Sequence, residues 1–470
     1  MNQVAFIVHK ETKYWFSIKL LDGRFGYEGL NNINFDTDDR FAKTLYGSNV
    51  KSIDFESSIL NPIMKGKVLF SDSENQQMIN TYNNLNLYCI IEVGSEPLDG
   101  GDQSQPLRRT LGESYNFTHS FYVNNLKVLE RIDSVVNYEI DLISSLFFPF
   151  MQTGMISTYS KDAQGYNDTK TLGSLILKIF GGADDSNTKR TKLFENRLSL
   201  KAEGTDDSQI FDKEIEYISS AGETILDSLM SILGKSMNSP NDDFICIPYD
   251  HIANQHELWF RSVFNENYSS KNPISNSSVY RNVLTIPNDS DRNYDNTQTD
   301  VEIIRTNSKV DNKSVIKNLF SSVSHQYYYD TRQFDITEPT STEFIQASLN
   351  EFKPKLGKFS FDSTMMSNNV NNRLVEAIDS DGLNFYERTK ESLILNNFII
   401  LKTTGHLPRK PGIDMFLTMS TPTPTSLKDF EGRFLVTKVI HSFDINAQTY
   451  ENTMTMSNND LRDDFMERLI

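Results

Sequence analysis

The sequence predicts a β-rich α+β protein, with antiparallel β elements at both ends of the chain flanking a mixed α+β middle. Three observations predict it. Leu85, Leu87, Cys89, Ile91 and Val93 alternate without a fault against Asn86, Tyr88, Ile90 and Glu92, the period of a strand with one buried face. Leu393 to Ser457 reads as strand, turn, strand, turn and hairpin. Between these ends lies Ala221 to Leu233, where apolar residues repeat at helical spacing behind a capping signal.

Taken in order, Tyr14 to Leu21 is the first strand expected, followed by Asp22-Gly23 and a polar loop. Val50 to Leu60 is the second, with Ile53 and Phe55 sharing a face, and Asn61-Pro62 is expected to break it before Ile63 to Phe70. The alternating strand at Leu85 to Val93 leads into a loop from Gly94 to Glu113. Phe117 to Leu129 follows, then Val136, Tyr138, Ile140 and Leu142 alternate against Asn137, Glu139 and Asp141. Strands at this spacing make an antiparallel barrel or a sandwich.

The middle is mixed. Leu172, Leu175, Ile176 and Ile179 would share one helical face, stopped by Gly181-Gly182. In the helix expected at Ala221 to Leu233, Ser220 is read as the N-cap and Glu223 as its capping-box partner. Its stripe is Ile225, Leu226, Leu229, Ile232 and Leu233, with Gly234 as the stop. Phe244 to Pro248 and Glu257 to Val263 read as a strand pair. Asn265 to Asp300, rich in Asn and Ser, reads as a surface connection, and Val301 to Lys309 and Leu319 to Tyr329 as strands. Helices are expected around Phe344 to Leu349 and over Phe385 to Ser392.

The last stretch opens with the apolar strand Ile394 to Lys402. Thr403 to Gly412 is dense in strand breakers, Ile413 to Met419 is a strand, and Thr421-Pro422-Thr423-Pro424 opens a loop. Gly432 to Phe443 turns through Asp444 to Gln448 into a return strand, Thr449 to Ser457. There Tyr450, Met454 and Met456 share one face and Thr449, Glu451, Thr453 and Thr455 the other. This is a small barrel or half-barrel with one wet face. The expected division is 1–145, a first β-barrel domain; 146–265, an α+β middle domain; 266–390, a loop-rich connecting domain; and 391–470, a second β-barrel domain.

Composition bounds the function. The chain has 470 residues, enough for several cores, and 31 Phe with 20 Tyr supply aromatic packing. Mean hydropathy is −0.46 and no long apolar run exists, so no membrane insertion is expected. Met1 to Lys10 lacks the pattern of a secretory signal. Cys89 and Cys246 read as two buried, reduced thiols, which fits assembly in a cytoplasm. A formal charge of −17 would repel nucleic-acid phosphates rather than hold them.

The sequence offers no active-site motif: no zinc-protease His pair, nucleophile elbow, phosphate loop or dinucleotide glycine run. His251 and His256 are spaced wrongly for one helical face. The pairs Asp38-Asp39, Asp184-Asp185, Asp206-Asp207, Asp242-Asp243 and Asp463-Asp464 fall in polar stretches where they would be solvated, whereas a glycosidase needs one acid raised by burial. No catalytic, metal-binding or cofactor-binding residue is expected, and no cofactor. His441, with no nucleophile near it in sequence, is expected to hydrogen-bond or to serve an interface.

Two stretches carry a family resemblance. G-x-L-P-R-K-P-G-x-D over Gly405 to Asp414, G-R-F-L-V-T-K-V-I-H-S-F over Gly432 to Phe443 and Y-E-N-T-M-T-M-S over Tyr450 to Ser457 form one. N-P-I-M-K-G-K-V-L-F-S-D over Asn61 to Asp72 and L-Y-C-I-I-E-V-G over Leu87 to Gly94 form the other. Both resemble the baseplate central hub proteins of contractile-tailed phages, a family that includes the base of the VgrG spike. The resemblance implies two tube-type β-barrels per chain and a homotrimeric, non-enzymatic ring in the virion tail baseplate, assembled in the host cytoplasm. Such a ring joins a sixfold tail tube protein to a threefold central spike protein and contacts baseplate wedge proteins. DNA passes through its lumen without specific binding. On this reading Leu87, Ile91, Val136, Tyr138, Leu435, Val439, His441, Tyr450 and Met454 are expected to face neighbouring subunits. A tail-associated cell-wall hydrolase, or a receptor- or glycan-binding tail protein, is the alternative.

Overall fold

The structure, a computed structural model of the chain, describes residues 5–9, 12–22, 41–45, 49–59, 61–72, 87–97, 115–145, 147–151, 158–159, 170–171, 198–202, 214–215, 217–218, 222–235, 244–251, 255–262, 283–286, 301–306, 322–328, 333–337, 372–376, 398–407, 409–412, 414–419 and 432–458. It is mostly antiparallel β with few helices. The first strands are β1 (Ala5–His9), β2 (Thr12–Asp22), β3 (Phe41–Leu45), β4 (Val50–Ser58), β5 (Asn61–Asp72), β6 (Leu87–Pro97), β7 (Tyr115–Ile132) and β8 (Val135–Ser144), followed by the one-turn helix α1 (Phe147–Phe150). Seven short strands follow: β9 (Thr158–Tyr159), β10 (Lys170–Thr171), β11 (Leu198–Ala202), β12 (Glu214–Ile215), β13 (Tyr217–Ile218), β14 (Phe244–His251) and β15 (Gln255–Ser262). Helix α2 (Ile225–Lys235) precedes the last two of these. The remainder are β16 (Val283–Ile286), β17 (Val301–Thr306), β18 (Ser322–Tyr328), β19 (Gln333–Thr337), β20 (Asn372–Glu376), β21 (Phe398–Thr404), β22 (Asp414–Met419), β23 (Gly432–Asp444) and β24 (Thr449–Asn458).

Among the described residues, fourteen strands join one sheet, twelve from the two ends of the chain and β16 and β17 from the stretch between, ordered β1-β2-β6-β7-β8-β5-β4-β23-β24-β21-β17, with β3 beside β2 and β22 pairing β23 and β16. The seam between the two ends is the antiparallel pair β4–β23, which sets Phe55 opposite His441 and Ile53 opposite Phe443. Alternation then dictates the interior. One cluster takes the inward residues of β1 to β8 together with Leu407, Phe443 and Tyr450 from the far end of the chain. The other is built from Ile399, Leu401, Met415, Leu417, Phe434, Val436, Val439, Met454 and Met456. β23 and β24 are long enough to serve both.

The outer edge of β1 is closed by a side chain. Gln448 ends the β23–β24 turn with φ of 54°. Its Oε1 accepts from the Val8 N–H at 3.0 Å, and its Nε2 donates to the Phe6 carbonyl at 3.4 Å and to the Ile445 carbonyl at 2.6 Å. A carboxamide carries one acceptor and two donors, so it pairs with a strand edge as a peptide would.

Two expectations change in detail. Asn61-Pro62 does not separate two strands but starts β5: the Asn61 Oδ1 accepts the Ile63 N–H at 2.9 Å, and Pro62 sits near the strand start, where a missing N–H is tolerated. The helix begins at Ile225, a turn later than expected. Gly222, at φ of 83°, interrupts the run, and Thr224 is the cap: its Oγ1 accepts from the Asp227 N–H at 3.1 Å while the Thr224 N–H donates back to Asp227 at 3.3 Å. The strands expected at Phe244 to Pro248 and Glu257 to Val263 pair antiparallel as β14 and β15, and β11 joins β15 in parallel. The helices expected at 172–179, 344–349 and 385–392 lie outside the described residues. Among the described residues no helix is long and apolar enough to cross a membrane.

Candidate functional site at the junction of the two cores

Where β23 and β24 pass from one core to the other, their inward residues form three layers. Phe443 faces Tyr450, His441 faces Asn452, and Val439 faces Met454. The first is aromatic and the third aliphatic; the second is polar, although it lies between them. β21 adds Thr403 opposite Asn452, and the loop 405–412 between β21 and β22 adds Arg409. Thr403, Arg409, His441, Tyr450 and Asn452 are all buried.

Tyr450 anchors the aromatic side. Its ring stacks on Phe443 at 4.0 Å between centroids and meets Tyr14 edge-on at 4.8 Å. Gly405 lies against its other side: a Cβ there would come within 2.2 Å of the ring, so only glycine fits. The Gly405 N–H donates to the Tyr450 carbonyl at 2.8 Å, and two residues on, Leu407 enters the first core. At the end of the loop Gly412, at φ of 85°, donates to the Val436 carbonyl at 2.7 Å. The loop is thus stitched to both cores.

The polar layer is hydrogen-bonded largely from within, although the buried Arg409 Nε finds no partner. His441 Nε2 lies 2.8 Å from the Arg409 carbonyl, which can only accept, so Nε2 carries the proton. Nδ1 is then the acceptor, with the Tyr450 hydroxyl at 2.7 Å and the Asn452 amide at 2.9 Å as donors. Asn452 Oδ1 accepts from the His406 N–H at 2.6 Å and from Arg409 at 3.2 Å. The Arg409 guanidinium also donates to the Thr404 carbonyl at 2.6 Å and to the Thr403 hydroxyl. Burial pushes His441 down to about 4, with the cation of Arg409 and the ring of His119 adding to it against the bond to the Arg409 carbonyl. The imidazole is therefore neutral. Burial brings Arg409 down to about 10, a value at which it remains a cation, held up by the phenols of Tyr450 and Tyr14. Tyr14 is pushed up to about 12, chiefly by burial.

Both nitrogens of His441 are occupied, and the hydroxyl that meets it is the buried Tyr450 phenol. Cys89 is fully buried, and desolvation raises its thiol far above its ordinary range. Among the described residues no group of three His, Cys, Asp or Glu could hold a metal ion. His256 stands opposite Asp250 and His251 opposite Gln255 across the β14–β15 pair.

The nine residues expected to face a neighbouring subunit, Leu87 and Ile91 on β6, Val136 and Tyr138 on β8, Leu435, Val439 and His441 on β23, and Tyr450 and Met454 on β24, are already buried in the single chain. Eight lie on inward faces; Leu435 lies on the other face of β23 from the core residues Phe434 and Val436. A period of two distinguishes the two faces of a strand but not the chain's own core from a partner's. His441 keeps the hydrogen-bonding half of its expectation. Arg409, Asn452, Thr403 and Gly405 carry the junction; Gly405, Arg409 and Asn452 stand in the quoted motif stretches, but the sequence assigns none of the four a role. A signal existed: Asn452 is the one polar residue among the inward positions 450, 452, 454 and 456.

No family model matches the chain, and no curated protein sequence matches it. Solved structures do. The chain is similar to a tail protein from Neisseria meningitidis MC58, at 10% identity and a TM-score of 0.48, over 95% of this chain and 97% of that one. It is similar to a 43 kDa tail protein of prophage MuSo2 from Shewanella oneidensis, at 10% identity and a TM-score of 0.47, over 95% and 100%. It is also similar to a chain of the Francisella PdpA-VgrG complex, at 10% identity and a TM-score of 0.47, over 95% of this chain and 58% of that one.

Proposed function

We propose that the chain is a structural, non-enzymatic subunit of a contractile tail or a tail-derived injection device: a baseplate hub that forms a trimeric ring between a tail tube and a central spike. The observation that carries the reading is the β4–β23 seam with the locked junction behind it. In this reading the sheet curls into two barrels that share β23 and β24. The first would close where β1 meets β24 through Gln448, the second where β16 lies against β17. Residues 1–145 and 391–470 supply most of the barrel strands, 266–390 adds β16 and β17, and 146–265 is carried between them.

A ring that matches sixfold symmetry on one side and threefold on the other needs two similar units per chain, held at a fixed angle. Six units then arise from three chains. A shared hairpin with a buried polar layer fixes that angle more tightly than a linker would. The outward face of the shared sheet suits a channel through which DNA slides. Its charges are paired across strands, Lys402 with Glu451 at 2.7 Å, Lys438 with Glu56 at 2.8 Å and Lys67 with Glu139 at 3.2 Å, so little free positive charge remains for phosphates. Partners in this reading are the tail tube protein, the spike protein and the baseplate wedges.

The test is the mass of the purified chain in solution by light scattering, with negative-stain class averages. Three subunits around a central hole are expected. A monomer at every concentration that also releases peptidoglycan fragments would replace the hub with a hydrolase.

A further inference from the structure

We propose that Lys51 and Asn137 are the two ends of an intramolecular isopeptide bond that the chain forms by itself, with Glu130 as the acid–base group. The residues stand in one row across four neighbouring strands. Asn137 on β8 lies opposite Ser71 on β5 and opposite Glu130 on β7. Its neighbours Val136 and Tyr138 are buried, so Asn137 is on the outward face. On β4 the row is completed by Lys51, the extra residue of a β-bulge between Val50 and Ser52. A bulge re-aims the side chain it carries. This one is fixed from behind, because the Ile445 N–H donates to the Lys51 carbonyl at 2.8 Å.

The atoms sit as amide transfer requires. Lys51 Nζ lies 2.8 Å from Asn137 Oδ1. Adding the length of a C=O bond places the amine no more than about 4 Å from the carbon Cγ. The Ser71 hydroxyl donates to the same Oδ1 at 2.8 Å, a donor aimed where negative charge would develop during attack. On the other side of the amide, Nδ2 donates to Glu130 Oε2 at 3.4 Å. Among the described residues Lys51 has no carboxylate partner: its nitrogen ends on the amide it would attack. Such preplacement turns an encounter into an intramolecular step.

The step balances without a co-reactant. The neutral amine of Lys51 attacks Cγ, a C–N bond forms, and the carbonyl electrons move to Oδ1, where Ser71 donates. Nζ and Nδ2 then share one carbon. The Glu130 carboxylate, already against Nδ2, takes the proton that Nζ sheds and gives it to Nδ2. The Cγ–Nδ2 bond breaks, ammonia leaves, and an amide joins the two side chains. Only a neutral amine attacks, so alkaline pH quickens the step. The product staples β4 to β8 across β5, between residues 86 apart in sequence and beside the β4–β23 seam. Like a disulfide, such a link constrains the unfolded chain.

The bond lies within one chain and holds whatever the chain assembles into. To test it, the full chain is held at about pH 9, where a growing share of lysine is neutral, and followed by intact mass and by tryptic peptide mapping. A chain lighter by one ammonia is expected, with a branched peptide joining Lys51 to Asn137. Lys51→Arg and Asn137→Ala are expected to keep the full mass, and Glu130→Gln to slow the loss by roughly 100-fold. Thermal melts show that each variant is folded. A folded, unsubstituted chain that keeps its full mass overturns the bond and leaves an ordinary hydrogen-bonded row. Loss of ammonia that persists in Lys51→Arg, with no branched peptide, is a cyclic imide at an asparagine and overturns it equally.

Discussion

His441 is neutral because it is buried, and that makes stability depend on pH. Its folded value of about 4 lies below the ordinary 6.5, so between these two the unfolded chain binds the proton that the folded chain refuses. Stability from this group is complete above about 6.5, falls as pH drops towards about 4, and is flat below. The full effect is roughly 3 kcal/mol. Urea midpoints measured from pH 7 to pH 4 are expected to fall, and His441→Gln is expected to flatten that fall; an unchanged slope in the variant would place the titration elsewhere. Gly405 makes the second case. An added methyl would meet the Tyr450 ring at 2.2 Å, with Tyr450 already wedged against Phe443 and Tyr14. Gly405→Ala is expected to destabilise by about 2–3 kcal/mol through overpacking. Gly66→Ala, where the nearest atom is the Leu142 Cβ at 3.3 Å, is the milder control. Equal denaturation midpoints for the two would refute the steric argument.

Most strands were legible because their signal is local. β6 and β8 alternate faultlessly, and burial follows the alternation along Val136, Tyr138, Ile140 and Leu142. The helix was legible from its stripe, of which Ile225, Leu229, Ile232 and Leu233 are buried. Its start was not, because two capping boxes follow one another, Ser220 with Glu223 and Thr224 with Asp227. Only the backbone at Gly222 chooses between them. Thr224→Ala is therefore expected to lower stability by about 1 kcal/mol, and Ser220→Ala by much less, in thermal melts; the reverse order would move the cap back. The glycine-rich loop was visible as a run of breakers, but its purpose was not. Gly405 serves a ring forty-five residues ahead, and Arg409 serves a carbonyl–imidazole contact with His441.

The chain closes its first core with residues from its last strands. Phe443 and Tyr450 pack with Tyr14, Phe16 and Phe55, and β23 occupies the free edge of β4. Residues 1–145 alone are then expected to lack a closed core and to show poorly dispersed amide resonances. Adding a peptide of residues 432–458 in trans is expected to restore dispersion, and a well-dispersed 1–145 spectrum without it would show that the first unit folds by itself. Apolar alternation, turn residues and helix caps are properties of neighbours in sequence, so β content, strand positions and the absence of an active-site motif could be read directly. Which strands become neighbours, and whether a buried face meets its own chain or another, depends on contacts between residues hundreds of positions apart. That is why the β4–β23 seam, the burial of the expected interface residues within the single chain and the polar layer around Arg409, His441 and Asn452 emerged only from the fold: closing such long loops is decided by the summed burial of both cores, which no local pattern records.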